Sequence, residues 1–327
     1  QGETVAPRPT SETKEGRASN AGPPQEPRRS RRDAAVAAQR EKSIAESRAQ
    51  ILAELEAQGG DWQAWFDRYA NLRSEVAADS QRFSEIAAQK SGEDATPFFR
   101  AIDEWPLFQI LITAQHVHEP VEFEPWVSSL QFAHVAVAAS TWLASQGVDL
   151  ILVPVPVAMD IYPDLFFPGV RAQENIVPQV RKFLLNLLER DVEIVDAFAL
   201  MREARTPGVP DLFLAGDEHW SQRAARPVAA SVAGRLSRYP KIQASMAGPP
   251  AYQQSRVETH YQGQYYNQLS SADQALADRY STYRDLKVVP TGSTPLFASN
   301  AKVVLIGDSF TDIGTLGRES SFAALLA

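Results

Sequence analysis

Apolar positions first fall into a helical period after Asp33. Ala45, Ala49, Leu52 and Leu55 recur at 4-3-3 spacing and form one stripe on a helix. Ile44 and Ile51, a heptad apart, widen that stripe, and Arg48 between them predicts an exposed edge. Gly59-Gly60 is a helix stop, and Asp61 is placed to cap a second helix. The second helix carries an aromatic face of Trp62, Trp65, Phe66, Tyr69, Leu72 and Val76. Such a face is expected to pack, either within a helical hairpin or on the next domain, rather than to stand open as a sugar platform.

Trp105, Phe108 and Ile110 to Ile112 predict a further buried element. His116 and His118 stand in i,i+2 register, which on a strand places both on one face. With no third histidine at a recognisable spacing, they read as ordinary polar residues rather than a metal pair. From Trp126 the order becomes regular. The pattern predicts a helix over 126–146 and a buried strand over 149–155, then a helix over 177–189 and a strand over 191–195. A helix over 197–204 and another after Trp220 follow, and Lys302–Ile306 predicts a last buried strand. Helices alternating with short apolar strands indicate an α/β domain with a largely parallel sheet. Ligands of such sheets sit beyond the carboxyl ends of the strands.

Composition divides the chain. Its 327 residues fit one large or two modest domains, and 44% hydrophobic content suffices for a buried core. Residues 1–32 hold five of the 22 prolines, no aromatic residue and seven basic groups against four acidic, and they predict a disordered tail. The formal net charge of -8 argues against a general nucleic-acid binder but leaves room for a local basic cleft. With no cysteine, disulfides and thiol nucleophiles are excluded. The most apolar stretch, Leu150 to Met159, carries two prolines and is too short to span a bilayer. The chain starts at Gln1 and is expected to be a processed or shortened form.

Three segments bear candidate chemistry: Pro154-Val-Pro156 leading to Ile161-Tyr162-Pro163-Asp164; Gly216-Asp217-Glu-His219-Trp220; and Gly307-Asp308-Ser309-Phe310. A serine directly after a strand and ahead of a helical turn sits at the sheet's carboxyl edge, where its own N–H faces a developing oxyanion. Gly307 permits the tight turn that this needs. Serine is a weak nucleophile without a base and an orienting acid. In an extended loop Asp217 and His219 point the same way, so the carboxylate can fix the imidazole while the imidazole takes the serine proton. Together Ser309, His219 and Asp217 supply each member of a Ser-His-Asp triad. Trp220 either packs beneath the histidine or floors a sugar site.

The order Val-Pro-Val-Pro, Ile-Tyr-Pro-Asp, Asp-x-His-Trp, and then Val-Val-Leu-Ile-Gly-Asp-Ser-Phe resembles the alginate O-acetyltransferase family over about residues 126–327. Pro295-Leu-Phe before the serine block adds to the likeness. The resemblance implies a permuted SGNH-hydrolase-like domain that O-acetylates an exopolysaccharide in the periplasm. It makes Ser309 the nucleophile, His219 the base and Asp217 its orienter, and places Tyr162 and Trp220 at matching positions expected to meet substrate. It implies a polysaccharide acceptor, a membrane-bound O-acyltransferase as acetyl-donor partner, no nucleic acid, no cofactor and no metal.

Three divisions result: a tail over 1–32, a mainly helical lead over 33–125 that the resemblance leaves unexplained, and an SGNH-like domain over 126–327. The last ends 18 residues after Ser309 and is expected to continue in a longer protein. The same triad would serve a polysaccharide acetyl esterase, and a non-catalytic polysaccharide-binding scaffold could keep the fold.

Overall fold

The computed structural model describes residues 28–69, 130–166, 169–206, 209, 211–217, 219–247, 252–264, 266–268, 271–291 and 302–326. Residues 1–27 of the expected tail, Trp105, His116, His118 and Glu119, and the expected helix start at Trp126 lie outside them, whereas residues 28–32, expected in the tail, open the first helix.

The fold is α/β, with a helical segment ahead of a small parallel sheet. Strands β1 (Ile151–Leu152) and β2 (Glu193–Ile194) pair in parallel, Ile151 opposite Glu193 and Leu152 opposite Ile194. Period-two alternation sends successive side chains to opposite faces. Ile151, Val153 and Val155, with Val195, join one hydrophobic core, and Leu152 and Ile194 join another. The second core is closed by α1 (Arg28–Ala57), α3 (Leu130–Ser145) and α6 (Pro178–Leu188). The first is closed by α7 (Ala197–Ala204), α8 (Gln222–Leu236) and the last helix, α12 (Phe322–Leu326). Two short helices, α4 (Ala158–Ile161) and α5 (Pro163–Phe166), follow β1, and another, α9 (Pro240–Met246), follows α8. Asp196 caps α7 by accepting from the Ala199 N–H, so α7 begins where the sequence places it.

The described part of the helical lead, residues 33–69, belongs to this packing. Helix α1 ends at Ala57, where Gly59 and Gly60 take φ of 102° and 77° and the Gly60 N–H returns to the Leu55 carbonyl. Asp61 then caps α2 (residues 62–69) through the Gln63 N–H at 2.8 Å. The buried face of α1 differs from the expected stripe. Ile44, Ile51 and Leu55 are buried, while Ala45 and Ala49 are exposed and Leu52 is 40% exposed. The edge flanking Arg48 is therefore the inner face, because two isoleucines remove more apolar area from water than two alanines. Trp65 is buried and donates its indole N–H to the Asn175 carbonyl, and the Tyr69 hydroxyl donates to Glu174. Glu54 accepts both Nε and Nη2 of the fully buried Arg181 at 2.8 and 2.7 Å, and Arg181 Nη1 lies 2.7 Å from Asp196 Oδ2. Burial pushes the Glu54 carboxyl above its ordinary range against the pull of the Arg181 guanidinium.

Two features depart from the sequence reading. First, Lys302–Ile306 forms no strand: it runs as exposed coil, with Val304 78% and Ile306 90% exposed. A short apolar run satisfies the buried-strand pattern locally, but a strand also needs a neighbour, and no described residue pairs with it. Second, a long antiparallel hairpin stands apart from the parallel pair. Strands β3 (Tyr252–His260) and β4 (Thr282–Pro290) pair from Tyr252 opposite Pro290 to His260 opposite Thr282. The excursion between them includes α10 (Ser271–Asp278). The polar, largely exposed sequence of β3 carries no alternation that marks a strand, whereas β4 is mostly buried or part-buried.

Candidate active site

The acid and base share a tight turn. Leu214 N–H bonds the His219 carbonyl and Asp217 N–H bonds the Leu214 carbonyl, with Gly216 at φ 66° making the reversal. Phe213 and Trp220 bridge across its base. The turn folds Asp217 and His219 inward, to 2% and 1% exposure. Asp217 Oδ1 accepts the His219 backbone N–H at 3.1 Å and lies 2.5 Å from His219 Nδ1. An ionised carboxylate can only accept, so Nδ1 carries the proton and Nε2 is left with a free lone pair.

The serine arrives from elsewhere. Helix α11 (Ser309–Asp312) is a single turn whose cap, Asp308, accepts from the Phe310 N–H at 3.0 Å. Gly307 lies against Thr311; a Cβ there would fall 2.2 Å from Thr311 Cγ2. Trp220 donates its indole N–H to the Phe310 carbonyl at 2.9 Å, and the Phe310 and His219 rings sit 4.8 Å apart. These contacts hold α11 over the histidine, with Ser309 Oγ 2.7 Å from His219 Nε2. Ser309 is exposed, and its N–H donates to no described residue. The structure thus brings Asp217, His219 and Ser309 into one hydrogen-bonded line across 90 residues of sequence.

Tyr162 and Trp220 lie buried behind the site, Trp220 in the packing role of its two expected ones. Tyr162 is fully buried, its hydroxyl accepts from the Leu212 N–H at 3.1 Å, and Arg205 covers its ring. Trp220 is 3% exposed and packs on Phe310 and Phe322. Both residues build the wall behind the site, and neither offers a face to substrate. An apolar ring beside a catalytic motif fits either role in sequence, and burial decides between them.

Asp217 has partners that the motif does not announce. The Tyr261 hydroxyl donates to Oδ2 at 2.9 Å, and the Gln264 backbone N–H donates to the same oxygen at 3.0 Å. Burial lifts the carboxyl, but the bonds from His219, Gln264 and the imidazole together hold it below the ordinary carboxylate range. Tyr283 on β4 accepts the Ala215 N–H through its hydroxyl. Tyr261, Gln264 and Tyr283 lie 44 or more residues beyond Asp217, and no local spacing marks them.

The model of the SGNH hydrolase-like domain of the acetyltransferase AlgX matches residues 125–326. The chain belongs to this family. The family ties the domain to O-acetylation, and its matched span contains the whole Asp217–His219–Ser309 line, α11 and the β3–β4 hairpin. Helices α1 and α2 lie outside it. Among solved structures, the O-acetyltransferase domain of Pseudomonas putida AlgJ is 22% identical, with a TM-score of 0.37 over 50% of this chain and 58% of that one. Pseudomonas aeruginosa AlgX is 18% identical, with a TM-score of 0.36 over 50% of this chain and 38% of that one. The chain thus spans little more than half of the first structure's length and well under half of the second's. No curated protein matches it. Among the described residues no helix is long and apolar enough to cross a membrane.

Proposed function

We propose that the protein is an O-acetyltransferase that carries an acetyl group through Ser309 to a hydroxyl of a polysaccharide. The observation that supports this reading best is the hydrogen-bonded line from buried Asp217 through His219 to the exposed Ser309.

The chemistry follows from that line. Ser309 Oγ attacks the acetyl carbonyl carbon of the donor while its proton passes to His219 Nε2. The imidazolium is stabilised by Asp217, and the Ser309 N–H faces the carbonyl oxygen as it becomes an oxyanion. Collapse breaks the bond to the donor's leaving group, which takes the proton from Nε2 and leaves acetyl-Ser309. An acceptor hydroxyl then gives its proton to Nε2, attacks the acetyl-serine carbonyl and leaves as the acetyl ester, and Ser309 Oγ recovers the proton. The reading places this chemistry in the periplasm, with a membrane-bound O-acyltransferase as donor partner; these two points rest on the family likeness.

The exposure of Ser309 favours one second reading, in which water replaces the sugar hydroxyl and the protein is an esterase. Incubation with an acetyl ester donor and a polysaccharide oligomer separates the two by mass spectrometry. An acetylated oligomer is expected. Release of acetate alone would support the esterase.

A further inference from the structure

We propose that Tyr261 is a positioning residue that, from the closed end of the β3–β4 hairpin, locks the Asp217 carboxylate in the rotamer that serves His219. The inference rests on the reading of Asp217–His219–Ser309 as the reacting line and extends it to an element that no motif marks.

A carboxylate can pivot about its terminal torsion, which is broad for aspartate. In this site each oxygen has its own pair of donors. Oδ1 faces the His219 backbone N–H and Nδ1, whereas Oδ2 receives the Tyr261 hydroxyl at 2.9 Å and the Gln264 N–H at 3.0 Å. Turning the carboxylate plane away from this orientation would stretch both pairs of bonds at once. The loop carrying the Oδ2 donors is itself pinned. The Tyr261 N–H bonds the Ser281 carbonyl, and Gly263 lies so close to the acid's turn that a Cβ would fall 2.1 Å from the Gly216 carbonyl oxygen. Across the ladder, Tyr283 holds the Ala215 N–H. The hairpin therefore grips the turn on both sides of Gly216. Burial and the charge of Asp217 push Tyr261 ionisation well above its ordinary value, so the hydroxyl remains a donor at working pH.

Tyr261→Phe removes the donor and keeps the ring, so the fold is retained, as a circular-dichroism melt checks. The full chain is assayed for Ser309-dependent release from a chromogenic acetyl ester. A fall in kcat of roughly ten- to hundred-fold with KM changed by less than about two-fold is expected, as for loss of one bond to a buried charge. In an Asp217→Asn background the same change is expected to add nothing, because both variants remove one function. Multiplication of the two losses would overturn the proposal, as would unchanged kcat. A second measurement needs no turnover. The Nδ1 proton of His219 is expected as a slowly exchanging downfield proton resonance in the parent, broadened or lost in Tyr261→Phe. An identical resonance in both proteins would overturn the proposal. Absence of turnover in the parent with the spectral difference intact would instead sink the acetyltransferase reading and leave the positioning role standing.

Discussion

Ser309→Ala is expected to lower turnover of an acetyl ester by at least about 10⁴-fold while leaving the melting temperature almost unchanged. The two halves of that expectation have separate grounds. Ser309 is exposed on a single helical turn, and among the described residues its side chain bonds His219 Nε2 alone. No core packing depends on its hydroxyl, and the cap of that turn comes from Asp308, which stays. Stability should therefore move by no more than a typical surface substitution. The chemistry has no substitute. His219 Nε2 would face a methyl group, no other nucleophile stands within its reach among the described residues, and the chain has no cysteine. Residual rate would come only from binding and the backbone donor. Steady-state assay beside a thermal melt checks both halves.

The second large effect lies far from the site. Glu54→Ala is expected to destabilise the protein by about 3 kcal/mol, because it strips the buried Arg181 of its bidentate partner. Arg181 has no exposure, and its remaining counter-charge, Asp196, also caps α7. Asn175, whose carbonyl holds Trp65, loses its contact with Glu54 as well. The loss would thus loosen α1 and α2 together. For a protein of this size it corresponds to a fall in melting temperature of roughly 6–12 °C. The double replacement Glu54→Leu with Arg181→Met should recover only part of the loss, since it removes the pair but also strips the buried Asp196 of the same guanidinium. A melt that does not move on Glu54→Ala would show α1 to be an appendage rather than part of the core. This matters because α1 lies outside the span matched by the family model, yet Ile44 and Ile51 pack in one core with Phe183 and Ile194.

The legible parts of this protein are those governed by neighbours in sequence. Helix α7 shows its start through the Asp196 cap, and α1 shows its stop through Gly59-Gly60, because caps and stops are decided within a few residues. Asp217 and His219 are legible for the same reason, as one turn places both. Their meeting with Ser309 is legible only through the order of motifs, since a local pattern cannot show what Trp220 and Phe310 hold together across 90 residues. Features settled by long-range packing escape. The Val303–Ile306 run has the composition of a buried strand and lies exposed, because composition does not supply a pairing partner. Tyr162 and Trp220 sit beside the motifs and turn inward, because large rings gain more from burial than from display. The alanine stripe of α1 yields to its isoleucine edge on the same ground. Tyr261 is hidden twice over, by distance and by its place after β3, whose polar sequence gives no strand signal.

The central claim is that acetyl passes through a covalent bond to Ser309. The most direct test is peptide mapping by mass spectrometry after the protein is mixed with an acetyl ester donor and quenched in acid within the first turnover. An acetyl group on the peptide containing Ser309, absent from Ser309→Ala and cleared when acceptor is added, is the expected result. Turnover that proceeds with Ser309 never acetylated, or with the acetyl group on another side chain, would contradict it.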